Sequence, residues 1–225
     1  MFSIYREVAV NSIAEALDSS LKDGKARKKC CRALLILCGH FSSTGKIPTK
    51  TSILKQAGYD HDSLEVKLPG QQEEGQQSEV TISLEDEAKR GEEFLKKLLE
   101  SLIGDGESPF LKSISRCLDC KHLDLVRACL MIVTWLSSSL STLYGAGLHL
   151  PAFLSIISQL KGILENGELE LKTLASLSLL NFSKISECKT LLKTMAEDIA
   201  PLLHGLVDVT WTAKQLHAIV SRENL

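Results

Sequence analysis

The chain has 225 residues, enough for one hydrophobic core of ordinary size or two small ones. Apolar residues make up 44% and charged residues 24%, and aromatics at 5% beside abundant leucine favour helix over sheet. A net charge of −2 excludes the basic balance by which a protein binds nucleic acid or an anionic membrane surface.

A first amphipathic helix is predicted over Tyr5–Leu21, with Val8, Ile13, Ala14 and Leu17 on one side. Asp23–Gly24 turns the chain into a second helix, Lys25–His40. Its first turns are basic (Lys25, Arg27, Lys28, Lys29) and the rest is apolar. A Ser/Thr/Gly-rich loop, Ser42–Pro48, leads to a short helix at Thr51–Ala57 that Gly58 closes as a C-cap. Residues 61–91 include LPGQQEEGQQSEV, with too little apolar surface to offset the entropy of ordering, and are expected to be a flexible acidic, Gln-rich insertion. The boundaries that follow are an N-terminal helical repeat over 1–60, the insertion over 61–91, and further repeats over 92–225.

Helix is expected to resume near Ser83 or Leu84, with Phe94, Leu95, Leu98, Leu99, Leu102 and Ile103 as its stripe. After the turn Gly104–Pro109, Ser108 is the expected N-cap and Pro109 the first helical residue of a helix over Phe110–Cys117. Leu123–Leu143 reads as a long buried helix. Pro151–Gly162 starts another, which Gly167 separates from Glu170–Ser183. Ser186–His204 is expected to be a helix bent or ended at Pro201, and Thr212–Ser221 is the last.

The organising stretch is Glu170–Ser183, whose Leu171, Leu174, Ala175, Leu179 and Phe182 recur at helical spacing. Leu125–Ser137 and Arg27–Gly39 resemble it. Cys31, Cys129 and Ala175 share a small position. Leu35, Val133 and Leu179 follow four residues later, and Cys38, Leu136 and Phe182 three after that. Cys129 to Ala175 is 46 residues and Ala175 to Ala213 is 38, inside or close to the armadillo and HEAT range of ~40–47. Such units cannot bury their apolar faces alone and stack on one another. The fold class expected is all-α, an armadillo/HEAT-like right-handed superhelix of stacked helices.

Few residues suggest chemistry. Cys117–Leu118–Asp119–Cys120 is a CxxC, a spacing at which two thiols can share a metal or form a redox pair. No second CxxC or HxxxH completes a zinc set, and the strand that a thioredoxin-like motif needs does not precede it. A thiol- or zinc-dependent role for Cys117 and Cys120 is therefore the minor alternative, and no cofactor or metal is expected. Gly39–Lys46 misses the phosphate-loop spacing by one residue, and Ile47 stands where Ser or Thr would hold magnesium. The six histidines match no nucleophile and read as surface or cap residues.

The seven cysteines, an odd number set mostly in apolar runs, suit free thiols in a reducing compartment, hence cytoplasm or nucleus. The first residues, MFSIYREVAV, show no signal-peptide pattern. Ala128–Leu160 carries no Asp, Glu, Lys or Arg over 33 residues, but its hydroxyls, glycines and Pro151 favour two buried helices over a membrane span.

Trp135 and Asn181 occupy the same slot in consecutive repeats. In armadillo stacks this slot faces the groove, where an Asn amide can bond a peptide backbone and a Trp face can hold aliphatic stems or a cation. The alternative is that Trp135 is ordinary core and Asn181 a helix cap.

At KARKKCCRALLILCGHFSSTGK, SILKQAGYD, DLVRACLMIVTWLSSSLSTL, ENGELELKTLASLSLLNFSKISECKTLL and DVTWTAKQLHAIVS the chain resembles the plant LIN (CERBERUS-type) E3 ubiquitin ligases. The resemblance covers most of residues 7–222 and lapses across the Gln-rich insertion. Those proteins join a U-box, armadillo-like repeats and WD40 repeats. The resemblance implies the middle, helical part. No CPI-type or DPV-type U-box segment and no WD repeat occurs here, so no family catalytic residue maps onto this chain. The expectation is a non-catalytic scaffold that binds substrates or other proteins of the ubiquitination pathway, with neither nucleic acid nor membrane as partner. The alternative within the family is a stand-alone, truncated relative that competes with full-length ligases for their partners.

Overall fold

The structure is a computed structural model and describes residues 2–39, 50–59, 93, 96–103, 108–143 and 151–221. The helices are α1 (Phe2–Ser20), α2 (Gly24–Gly39), α3 (Lys50–Gln56), α4 (residues 96–103), α5 (Pro109–Leu118), α6 (Leu123–Leu143), α7 (Pro151–Asn166), α8 (Leu169–Phe182), α9 (Ser186–Thr194), α10 (Ala196–Leu203) and α11 (Trp211–Ser221). Among the described residues there is no strand. The expected insertion over 61–91, the Ser42–Pro48 loop and the helix start near Ser83 lie outside the described residues.

The local signals act where the residue types place them. The Ser108 hydroxyl accepts from Phe110 N at 3.2 Å, and Pro109, which has no N–H to satisfy, opens α5. Asp23 caps α2 by accepting from the backbone N–H groups of Lys25 (3.0 Å) and Ala26 (3.2 Å). Gly58 ends the α3 turn at φ +86°, a conformation only glycine adopts without strain.

One expected boundary is corrected. The break in Ser186–His204 falls at Met195 (φ −100°, ψ 8°), and Pro201 lies inside α10. Glu197 and Asp198 occupy the first turn of α10, where carboxylates favour a new helix N-terminus.

The helices form two ranks. In one, α1, α5, α7 and α10 pack side by side in that order; in the other, α2, α6, α8 and α11 do. Hairpins α1/α2, α5/α6, α7/α8 and α10/α11 join the ranks, so the chain is an all-α helical repeat. Cys31, Cys129, Ala175 and Ala213 stand on four successive helices of the second rank, as the sequence alignment requires. Cys129, Ala175 and Ala213 are fully buried; Cys31 is half-exposed because α2 has a second-rank neighbour on one side only. α4 adds Leu99, Leu102 and Ile103 to the same core.

Central position decides which faces are buried. α8 touches α3, α6, α7 and α11 and buries Leu177 and Leu180 as well as the expected stripe. Its hydroxyls are buried too, and each finds a partner, as buried polar groups must. α6 contains the stretch Leu123–Leu140, long and apolar enough to cross a membrane, but 67% of it is buried against α2, α5 and α8.

Candidate functional site

The slot shared by Trp135 and Asn181 lies where α6 meets α8. Small residues let the two helices approach closely enough for side chains to bond across them. The Thr134 and Ser178 hydroxyls meet at 2.8 Å, and Ser176 meets Thr212 of α11 at 3.1 Å. Charged pairs tie both ranks. Arg127 Nε donates to Glu170 Oε1 at 2.8 Å between α6 and α8, and Arg116 Nη2 to Asp18 Oδ2 at 2.8 Å between α5 and α1.

Asn181 belongs to this set of ties. It is 5% exposed. Its Nδ2 donates to Thr134 O and to Ser137 Oγ, each at 3.4 Å, and Lys184 Nζ donates to its Oδ1 at 3.3 Å. Gripping a partner's backbone with this amide would mean breaking bonds it already makes. Its partners Thr134 and Ser137 bracket Trp135 on α6, so the structure brings the two slot residues together. Trp135 is half-buried and leans on the core. Asn181 thus fixes the helical turn that carries the indole.

The thiols gather elsewhere. Cys117 of α5 is fully buried and donates weakly to Leu17 O at 3.7 Å. It also shares a hydrogen bond with Cys129 of α6, which holds the Cys117 thiol below its ordinary pKa, while burial pushes Cys129 well up. Cys30 of α2 is pushed up to about 11, first by burial and then by the charge Cys117 could carry. Cys120 is half-exposed; its sulfur accepts from His122 N at 3.4 Å. Among the described residues, no three His, Cys, Asp or Glu side chains are placed to hold a metal ion. Periodicity could not reveal this gathering, because each cysteine looks locally like a small apolar residue. Of the histidines, His204 holds the C-cap position of α10 and meets His217 with ring centroids 4.9 Å apart and the rings tilted by 56°.

Comparison with known proteins places this architecture. A family model described as "Putative E3 ubiquitin-protein ligase LIN, ARM-like domain" matches residues 1–221. The chain is 32% identical to the protein named "Putative E3 ubiquitin-protein ligase LIN" from Medicago truncatula, over 91% of this chain and 14% of that protein. It is 30% identical to LIN-1 of Lotus japonicus, over 97% of this chain and 15% of that protein, and 31% identical to LIN-2 of the same plant, over 91% and 14%. The chain therefore spans about one-seventh of the length of these relatives. No solved structure matches it. Paired ranks of helices, the register of small residues across them and a family match from residue 1 to 221 agree, and the chain belongs to the LIN ARM-like domain family.

Proposed function

We propose that this chain is a protein-binding module of the ubiquitination pathway, with no catalytic step of its own. The observation that carries the proposal is the placement of Trp135: a half-buried indole on a central helix, held in register by the Asn181 amide of the next layer. A large ring fixed on a rigid helix gives contact area at low entropic cost, which suits a binding anchor. The relatives carry the name "Putative E3 ubiquitin-protein ligase", which supports a role in the ubiquitination pathway. Five of the seven cysteines, Cys30, Cys38, Cys117, Cys129 and Cys188, are buried in the packing, which suits a structural part, while Cys31 and Cys120 are half-exposed.

Proximity labelling with the full chain, compared between the parent and Trp135→Ala, tests the proposal. Circular dichroism first establishes that both fold. A set of proteins labelled by the parent and lost with Trp135→Ala is expected, and identical labelling by both would overturn the anchor. Ubiquitin conjugation by the chain alone, supplied with activating and conjugating enzymes, would overturn the non-catalytic reading.

A further inference from the structure

The basic first turns of α2 open onto a second feature, at the other end of the helices from Trp135. A cleft of about 1110 Å³ lies between the Asp23–Gly24 turn and the Lys121–Asp124 turn. Leu123 and Trp135 are twelve residues apart on α6, so roughly 18 Å separates cleft and indole at ~1.5 Å per residue.

Charge dominates the walls. Lys25, Lys28, Arg32 and Lys121 line the cleft, all exposed, and none pairs with a carboxylate among the described residues. The two acidic groups present are already engaged. Asp23 accepts from the backbone of α2, and Asp124 faces Arg127 Nη1 at 3.4 Å. α2 and α6 also both begin here, so two helix N-termini add partial positive charge to the same opening. Cys31, Leu35 and Leu123 add apolar surface to the same lining, and Leu123 is 48% exposed.

We propose that this cleft binds an acidic peptide segment of a partner protein, with an apolar side chain set against Leu35 and Leu123 and flanking carboxylates on the four cations. The proposal rests on the protein-binding reading above and deepens it by naming the partner's chemistry. Two observations favour a peptide over a nucleic acid. Leu35 and Leu123 give the lining an aliphatic patch, which matches a side chain and not a sugar–phosphate backbone. The whole chain carries net charge −2, which repels a long polyanion outside the cleft.

The test is fluorescence anisotropy with the full chain. The probe is a short labelled peptide of glutamate and aspartate around two central leucines. Saturable binding is expected, weakened about tenfold or more by Lys28→Glu with Arg32→Glu, since several exposed charges act on one ligand. The neutral pair Lys28→Gln with Arg32→Gln supports the same conclusion if charge reversal disturbs folding. Lys189→Glu with Lys214→Glu, on the last helices, is expected to leave binding unchanged. A peptide with both leucines replaced by glycine is expected to bind more weakly.

Failure of the probe to bind, or equal weakening by the two charge-reversed pairs, would overturn the proposal. Single-stranded RNA of equal charge binding as tightly would overturn it in favour of nucleic acid. If the peptide fails while Trp135-dependent labelling persists, the cleft proposal falls and the protein-binding reading stands.

Discussion

Cys38 ends the apolar face of α2 and has no exposed surface, and burial pushes its thiol up to about 12. Cys188 rises to about 11 for the same first reason, followed by the neighbouring Glu187 charge. Both lie above the value of 9.0 that an unfolded thiol takes, so the native state holds these protons after the unfolded state has begun to lose them. The contribution is complete below pH 9 and falls as pH rises towards the native values, at about 1.4 kcal/mol per pH unit for each such thiol. Urea denaturation is expected to show falling stability from pH 9 to 11, and Cys38→Ala is expected to make that fall shallower. An unchanged slope in Cys38→Ala would remove this thiol from the cause. The substitution also shortens a packed side chain, which offsets the curve at every pH but leaves its slope to the ionisation.

Between elements, the second rank is joined by hydroxyls as well as by apolar contact. The Thr134–Ser178 bond between α6 and α8 is out of reach of water, so removing one member leaves the other short of a partner. Ser178 also donates to Leu174 O at 2.9 Å, which softens its loss. Urea titrations of Thr134→Val, Ser178→Ala and the double variant are expected to give a coupling of about 0.5–1.5 kcal/mol. Strict additivity would mean that the bond contributes nothing beyond shape. Much of this scale was legible in the sequence. The small position shared by Cys31, Cys129 and Ala175 identified the helices that stack, and Ser108–Pro109 placed the start of α5. The break at Met195 was not, because Pro201 is the stronger local signal and the competing mark, Glu197–Asp198, is an ordinary acidic pair. The role of Asn181 was half legible. Its place in the helix register was legible, but the direction of its amide depends on Thr134 and Ser137, more than forty residues earlier in sequence. The cleft showed only as a basic run on α2, since Lys121 and Leu123 reach it through the packing of α6.

At the scale of the molecule, α3 breaks the simple order of the stack. It follows α2 in sequence, yet it packs on α8, and its C-terminal turn meets α11, three second-rank positions away from α2. Thr212 Oγ1 donates to Ala57 O at 3.0 Å, and the Trp211 ring lies over Gly58, where a Cβ would come within 2.1 Å of the indole. Leu54 and Ala57 are buried in the shared core. In a plain solenoid each unit feels only its neighbours, and the last layer opens first. Here a segment of the first unit covers the last junction, so the protection of α11 depends on residues about 155 positions earlier. Leu54→Ala tests this dependence because it removes apolar contact without touching α11 itself. Losses for buried leucines run about 2–5 kcal/mol, and the low end suits a small, peripheral helix. Two kcal/mol corresponds to about thirtyfold faster amide exchange where exchange follows local opening. Hydrogen-exchange mass spectrometry of Leu54→Ala is therefore expected to show that acceleration in α11 and at the end of α8, with α5 and the first half of α6 unchanged. Faster exchange spread evenly over every helix would mean that α3 supports the whole fold and not the last junction, and unaltered exchange in α11 would mean that the contact stabilises neither.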